Sequence, residues 1–155
     1  PGVVARTHPS GGRTVYLAFN AGQIFWQAMQ SDHGDLIAAS VRWAMGEDPP
    51  RVQAYGAGMI DLAVRAAEDE MAVTVVNLNN PMAMRGQIRS VLPLTDQRLV
   101  IRAPRQAGAA KVRLLVSGAE MSLPVECGQV QVGLDRIAVL EVVHVRWTQG
   151  WVGES

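Results

Sequence analysis

The chain has little of several features that would point to a particular class of protein. It contains one cysteine, Cys127, so no disulfide can form within it and the fold must depend on packing. The redox compartment stays open, with the cytoplasm slightly favoured. Its 14 basic and 14 acidic residues are spread along the sequence and give a formal net charge of zero. Because no strongly charged surface is expected, we predict neither nucleic acid nor a membrane as a partner.

Long apolar runs are also missing. No stretch approaches the roughly 20 apolar residues that a transmembrane helix needs, and no charged segment followed by an apolar run stands at the N-terminus. We therefore expect a soluble segment. The chain opens with Pro1 rather than methionine, which is typical of a processed product or an excised piece. Its 155 residues suit one domain, or a small domain plus a fragment.

The stretch 71–78 (MAVTVVNL) is the feature around which the rest of the chain can be organised. It carries no charge, which is typical of a strand covered on both faces, so we predict a central β-strand there. The preceding run 59–65 alternates, with Ile60 and Leu62 on one face. The acidic residues 68–70 separate the two runs at a turn, and this spacing predicts a hairpin.

The N-terminal part predicts a small α/β layer. Two β-prone runs, 3–6 and 13–19, flank a loop that contains two glycines, which indicates a hairpin. The spacing of apolar residues predicts a short helix over 23–30 and a longer one over 33–45.

The longer helix has recognisable end signals. Ser31 and Asp32 offer N-cap oxygens, and Gly46 offers a stop. Its apolar residues leave only a narrow polar strip around Asp35 and Arg42, so we expect the helix to be largely buried against a sheet.

A linker at 47–51 (EDPPR) predicts a domain boundary, because two prolines exclude a helix and the charges favour solvent. We assign 1–48 to an α/β remnant, 49–147 to a β-sandwich domain and 148–155 to a frayed tail. Beyond the linker, β-type runs recur at short intervals. They are 52–55, 59–65, 71–78, 88–94, 98–102, 111–116, 121–125, 129–134 and 138–147.

This pattern predicts a mainly β protein, in which a β-hairpin and helices are followed by an antiparallel, immunoglobulin-like β-sandwich. The runs 111–116, 121–125 and 129–134 are joined by short turns, so we expect them to form a three-stranded meander.

The residues that could carry chemistry have plainer structural interpretations. Neighbouring carboxylates at 68–70 suit a solvated turn, and Asp32 beside His33 suits the start of a helix rather than a metal site. His144 lies in a predicted strand and Cys127 at a strand end, and neither has a partner in a recognisable catalytic pattern. We therefore predict no catalytic, cofactor-binding or metal-binding residues and no cofactor.

Aromatic residues make up only 5% of the chain, so a stacking surface for sugars has few candidates. Trp26 and Trp43 are interpreted as core residues, which leaves Trp147 and Trp151 for carbohydrate stacking. A small layer cannot bury every apolar side chain of the N-terminal part, so an interface is also expected. Its candidate residues are Phe25, Trp26, Met82, Met84 and Arg85, of which the last three lie in the loop 79–87.

Two longer runs resemble known domains. The run GGRTVYLAFN, followed by a short helix and by DHGDLIAASVRWAMG, resembles the end of the glutamine-amidotransferase-like domain called the β-galactosidase trimerisation domain. The run GAGMIDLAVRAAEDEMAVTVVNLNNPMAMRGQIRSVLPL resembles the small C-terminal β-domain of glycoside-hydrolase-like proteins, which carry a TIM barrel, an amidotransferase-like domain and a β-sandwich.

The resemblance implies a non-catalytic region of a larger protein of carbohydrate metabolism. The barrel with its paired catalytic carboxylates would lie upstream of Pro1, and Cys127 does not stand on the strand-to-helix turn that an amidotransferase nucleophile requires. A structural or oligomerisation role follows, with a second copy or an upstream catalytic domain as the partner. The alternatives are a carbohydrate-binding module and, more weakly, a free-standing hydrolase.

Overall fold

The computed structural model describes residues 2–28, 30–46, 50–79 and 90–149. The chain divides into two compact units, Pro1–Pro50 and Arg51–Ser155. Of the helices in the described ranges, none has the length and apolar character needed to cross a membrane.

The unit Pro1–Pro50 contains the predicted hairpin and both predicted helices. Strand β1 (Val3–Thr7) pairs antiparallel with β2 (Arg13–Leu17), so that Val3 lies opposite Leu17. Helix α1 (Ala21–Ala28) and helix α2 (Ser31–Met45) follow. Between the strands, Gly11 has a φ of +86°, a conformation that glycine adopts without a steric penalty.

The ends of α2 agree with the sequence only at the C-terminus. Gly46 has a φ of +72° and its N–H donates to the Trp43 carbonyl, as expected for a glycine stop. The predicted side-chain N-cap is wrong, because Gln30 occupies the cap position and makes no side-chain cap hydrogen bond. Asp32 lies inside the first turn instead, where its charge favours the helix dipole.

The expectation that α2 would be buried is also wrong. None of its residues is buried, and Val41 is 53% exposed. The helix packs against α1 and β2, and a two-stranded sheet with one short helix is too small to cover an apolar surface of this width.

The unit Arg51–Ser155 is built from antiparallel strands in two sheets. The strands are β3 (Val52–Tyr55), β4 (Ile60–Ala66), β5 (Glu70–Asn77), β6 (Leu94–Arg102), β7 (Ala109–Leu114), β8 (Glu120–Pro124), β9 (Gln129–Ile137) and β10 (Leu140–Thr148). One sheet has the order β4-β5-β10-β7-β8 and the other the order β3-β6-β9. Buried residues of both sheets, such as Val73 and Leu99, belong to one hydrophobic core. The predicted antiparallel β-sandwich is therefore confirmed.

Strand β5 is central, as predicted, because it pairs with β4 on one side and β10 on the other. Only one of its faces is buried, however. Val73 and Val75 are fully buried, whereas Ala72 and Thr74 between them are partly exposed. The uncharged sequence of this strand therefore reflects small and β-branched residues on an outer face, and not cover on both sides.

The predicted meander is correct for two strands and wrong for the third. Strands β7 and β8 pair, but β9 pairs with β6 in the opposite sheet. The turn between β8 and β9 contains Cys127 and Gly128, whose φ angles are +50° and +76°. A short turn alone does not show whether a chain stays in its sheet or crosses to the facing one, which is why the sequence misled here.

Two other predicted segments extend beyond the residues that the structure describes. Of the predicted strand 88–94, residues 90–93 are not in a strand, β6 begins at Leu94, and 88 and 89 lie outside the described residues. Of the predicted frayed tail, Thr148 belongs to β10, and 150–155 lie outside the described residues.

Candidate functional site

The N-terminal unit exposes an unusual amount of apolar surface. Among the described residues of Pro1–Pro50, Ala21 alone is buried. Its exposed large apolar residues are Val3, Val4, Tyr16, Phe19, Ile24, Phe25, Trp26, Val41, Trp43 and Met45. We call this set the N-terminal apolar surface. Large exposed apolar patches on a protein usually mark a surface that contacts a partner.

A few close contacts hold this small layer together. The Phe25 ring lies against Gly34, where a Cβ atom would come within 2.9 Å of the ring, so the glycine permits α1 and α2 to approach. The Arg13 guanidinium lies 5.6 Å from the centre of the Trp43 ring and donates to the Trp43 carbonyl at 3.4 Å. These contacts connect β2, α1 and α2 without covering Trp26.

The predicted interface residues are exposed wherever the structure describes them. Trp26 is 59% exposed and Phe25 is 37% exposed. The interpretation of Trp26 and Trp43 as core residues is wrong, because Trp43 is also 36% exposed. The other predicted interface residues, Met82, Met84 and Arg85, lie outside the described residues.

A second feature is a cleft at one end of the sandwich, beside Trp147. Its walls are the turn between β4 and β5, the loop between β6 and β7, and the end of β10. The lining residues are Glu68, Asp69, Pro104, Gln106, Ala107, Trp147, Thr148 and Gln149, and the cleft has a volume of about 390 Å³. We call it the Trp147 cleft. The other predicted stacking residue, Trp151, lies outside the described residues.

Backbone hydrogen bonds fix the walls of the Trp147 cleft. The Trp147 N–H donates to the Asp69 carbonyl at 2.9 Å, which joins β10 to the acidic turn. The Gly108 N–H donates to the Thr148 carbonyl at 2.9 Å, which joins β10 to the β6–β7 loop. The Trp147 side chain packs partly against the hydrophobic core.

The acidic cluster 68–70 is divided by the fold. Glu68 and Asp69 are exposed in the turn, as predicted, whereas Glu70 begins β5. The Glu70 carboxylate lies 3.2 Å from His144 Nε2 and 3.4 Å from Arg146 Nη2. The hydrogen bond from His144, followed by that from Arg146, holds the pKa of Glu70 below its ordinary value. His144 is therefore paired with a neighbouring strand rather than with a nucleophile.

Sequence reasoning missed one buried carboxylate, that of Glu141. It is 3% exposed, and its two oxygens accept hydrogen bonds from the backbone N–H groups of Val116, Ser117 and Val142 at 2.8–3.0 Å. Burial by itself raises the pKa of Glu141, but the hydrogen bonds outweigh it and lower the pKa. A signal was present in the sequence, because Glu141 shares the inward face of β10 with Val143 and Val145.

The remaining candidates for chemistry stay apart. In the part of the chain that the structure describes, no three His, Cys, Asp or Glu residues are grouped so that they could hold a metal ion. Asp32 and His33 lie in the first turn of α2, and Cys127 is an exposed thiol on the turn between β8 and β9.

Comparison with known proteins gives a likeness in fold. No family model matches the chain, and no curated protein matches it. A solved structure that does match is alpha-L-fucosidase isoenzyme 2 from Paenibacillus thiaminolyticus, with 18% sequence identity and a TM-score of 0.69. The likeness covers 96% of this chain but only 22% of the fucosidase chain. The chain is thus similar in fold to about a fifth of a glycoside hydrolase.

Proposed function

We propose that this chain is a non-catalytic accessory region of a larger glycoside-hydrolase-like protein, where it supports a catalytic domain or an oligomer. The observation that carries the proposal is the extent of the likeness to the fucosidase, which takes in 96% of this chain and 22% of that enzyme. A region of that extent corresponds better to an accessory part of such an enzyme than to the whole. The fold itself does not assign a function.

The finer identity follows from the two resemblances in the sequence. The hairpin and helices of Pro1–Pro50 would be the end of a β-galactosidase trimerisation domain, which is glutamine-amidotransferase-like, and Arg51–Ser155 would be the C-terminal β-sandwich. The order of the two units along the chain agrees with the order of those domains.

The absence of catalysis belongs to the same proposal. Two groups that could serve as an acid or base have structural contacts: the Glu70 carboxylate bonds to His144, and the Glu141 carboxylate accepts backbone N–H groups. Cys127 is an exposed thiol on a turn, whereas a nucleophilic cysteine needs an adjacent base or a helix N-terminus.

The N-terminal apolar surface supplies the means of association. It contains Trp26 and Val41, each more than half exposed, and it adjoins a two-stranded sheet whose described strands each have an unpaired edge. Exposed apolar area and open edges together favour pairing with another chain or domain. The partner would be a second copy of this chain or the upstream catalytic domain.

Sedimentation velocity at several protein concentrations tests this role, with Trp26→Glu as the variant and Val139→Glu as the matched control. Val139 is exposed to a similar degree, at 56%, but lies in the other unit. We expect the parent and the control to show a mass that rises with concentration, or to bind the separately expressed upstream domain, and Trp26→Glu to do neither. A parent that stays monomeric, does not bind the upstream domain and protects Trp26 and Trp43 from solvent would contradict the proposal.

A further inference from the structure

The Trp147 cleft has the dimensions and rigidity of a small-molecule site. Its volume of about 390 Å³ falls within the range of roughly 300–1,000 Å³ that is usual for such sites. Backbone hydrogen bonds from Trp147 to Asp69 and from Gly108 to Thr148 join the end of β10 to the two loops beside it. The walls of the cleft are therefore formed before a ligand arrives.

The aromatic side chain in this cleft is also held in place. Trp147 lies opposite Ala110 on β7 and packs partly against the core, while its remaining surface lines the cleft. An indole that is already immobilised loses little conformational freedom on binding, and its face suits the C–H groups of a sugar ring as well as it suits other apolar surfaces.

The polar side chains around the indole both accept and donate hydrogen bonds. Glu68 and Asp69 offer carboxylate oxygens, and Gln106 and Gln149 each offer an amide oxygen and an NH₂ group. All four are exposed. The acidic turn is joined to β10 by the carbonyl of Asp69 and not by its side chain, so a ligand can replace water at the carboxylate without loosening the turn.

We propose that the Trp147 cleft binds one neutral sugar unit, with the ring against Trp147 and the hydroxyls bonded to Asp69 and Gln106. A hydroxyl both donates and accepts, so it can use carboxylates and amides together. A cation would use the oxygens alone and would leave the two NH₂ groups without a role. The site does not depend on the proposed association through the N-terminal apolar surface, since its lining residues all lie in Arg51–Ser155.

NMR titration of the full 155-residue chain tests the site through the indole N–H signals, with Trp147 assigned from a Trp147→Phe variant. The probes are methyl α-L-fucopyranoside, methyl β-D-galactopyranoside and methyl α-D-glucopyranoside, with tetramethylammonium chloride as the cationic probe. We expect at least one glycoside to shift the Trp147 signal with a Kd on the order of 1–10 mM. The other described indoles, Trp26 and Trp43, should not shift in parallel.

Surface variants locate the binding without disturbing the core. Asp69→Ala and Gln106→Ala should each weaken binding about fivefold or more, as expected for a lost hydrogen bond. Asp135→Ala, an exposed carboxylate on β9, is the matched control and should leave the Kd unchanged. The proposal is overturned if no glycoside shifts Trp147, if only tetramethylammonium does, or if the shift survives both cleft substitutions.

Discussion

The two units of this chain have similar proportions of apolar residues but bury them to very different extents. All but one of the buried hydrophobic residues in the described chain lie in Arg51–Ser155, and the exception is Ala21. In the sandwich, each strand hides one face against a second sheet, so alternate residues such as Val73 and Val75 lose all contact with water. In Pro1–Pro50, α2 packs against β2 and α1, and among the described residues of this unit Ala21 alone is buried. An apolar stripe becomes a core only where another layer of sufficient area meets it.

The largest difference should appear when the two units are made separately. We expect Arg51–Ser155 alone to melt in one cooperative transition, because it holds the core, and Pro1–Pro50 alone to show neither a transition nor stable helix. Thermal melts followed by circular dichroism compare the two pieces. A cooperative melt of Pro1–Pro50 would remove the contrast, and a random-coil spectrum of Arg51–Ser155 would show that the boundary is misplaced.

A charge placed in the core should be nearly as damaging. Val75 is fully buried and lies opposite Leu62 and Glu141 on its two neighbouring strands. Val75→Asp would bury a carboxylate on the strand position opposite Glu141, at a cost of several kcal/mol against a total stability of about 5–15 kcal/mol. We expect no folded transition at neutral pH. The exposed strand residue Ala63→Asp is the control, and a Val75→Asp melt within a few degrees of the parent would show that β5 is not central.

The sequence was informative where a local pattern decides the structure. Alternation located strands such as β4, and Gly46 located the end of α2, because both depend on neighbouring residues alone. It was misleading where distant layers decide. The sheet that β9 joins and the burial of α2 both depend on the apolar area that other elements offer for packing. The sequences of β9 and α2 do not contain that information.

For the candidate sites, too, local sequence was informative and contacts between distant segments could not be predicted. The exposure of Phe25 and Trp26 follows from the small size of their layer, which must leave apolar side chains exposed, and their place in an interface stays a prediction. Trp147 could be named from its chemistry, but its cleft could not, since Asp69 and Gln106 approach it from two other turns. Glu141 was overlooked because two of its three hydrogen-bond partners, Val116 and Ser117, are 25 and 24 residues away in the sequence.

The buried carboxylate in the sandwich predicts that the stability of this unit depends on pH. The pKa of Glu141 is lowered from 4.5 in the folded protein, so its ionised form stabilises the fold above about pH 4.5, and this contribution is lost as the pH falls through the lower folded-state pKa. Glu141→Gln should cost about 1–3 kcal/mol at pH 7, since an amide cannot accept all three N–H groups.

Chemical denaturation between neutral and acidic pH measures this effect. The difference in unfolding free energy between the parent and Glu141→Gln should shrink as the pH falls below about 4.5. The exposed Glu126→Gln serves as the control and should follow the parent throughout. A difference that is unchanged at acidic pH would mean that Glu141 does not act through its charge.

The smallest effect compares two glycines with a positive φ, one in each unit. Gly118, between β7 and β8, has a φ of +79°, and Gly46, at the end of α2, has a φ of +72°. An alanine at a positive φ costs about 1 kcal/mol or more, and a loss of about 1 kcal/mol shifts the melting temperature of a domain of this size by about 4–8 °C. Gly118→Ala adds its strain to a cooperative sandwich, where no neighbouring atom lies within 4 Å to add a clash, so we expect the full shift.

Gly46→Ala adds its strain at the end of a helix with no buried residue, beside the flexible Arg13 side chain. We therefore expect the main transition to stay within about 1 °C and only the helical signal to fall. Differential scanning calorimetry together with circular dichroism separates the two readouts, and equal shifts in melting temperature would show that the two units unfold as one.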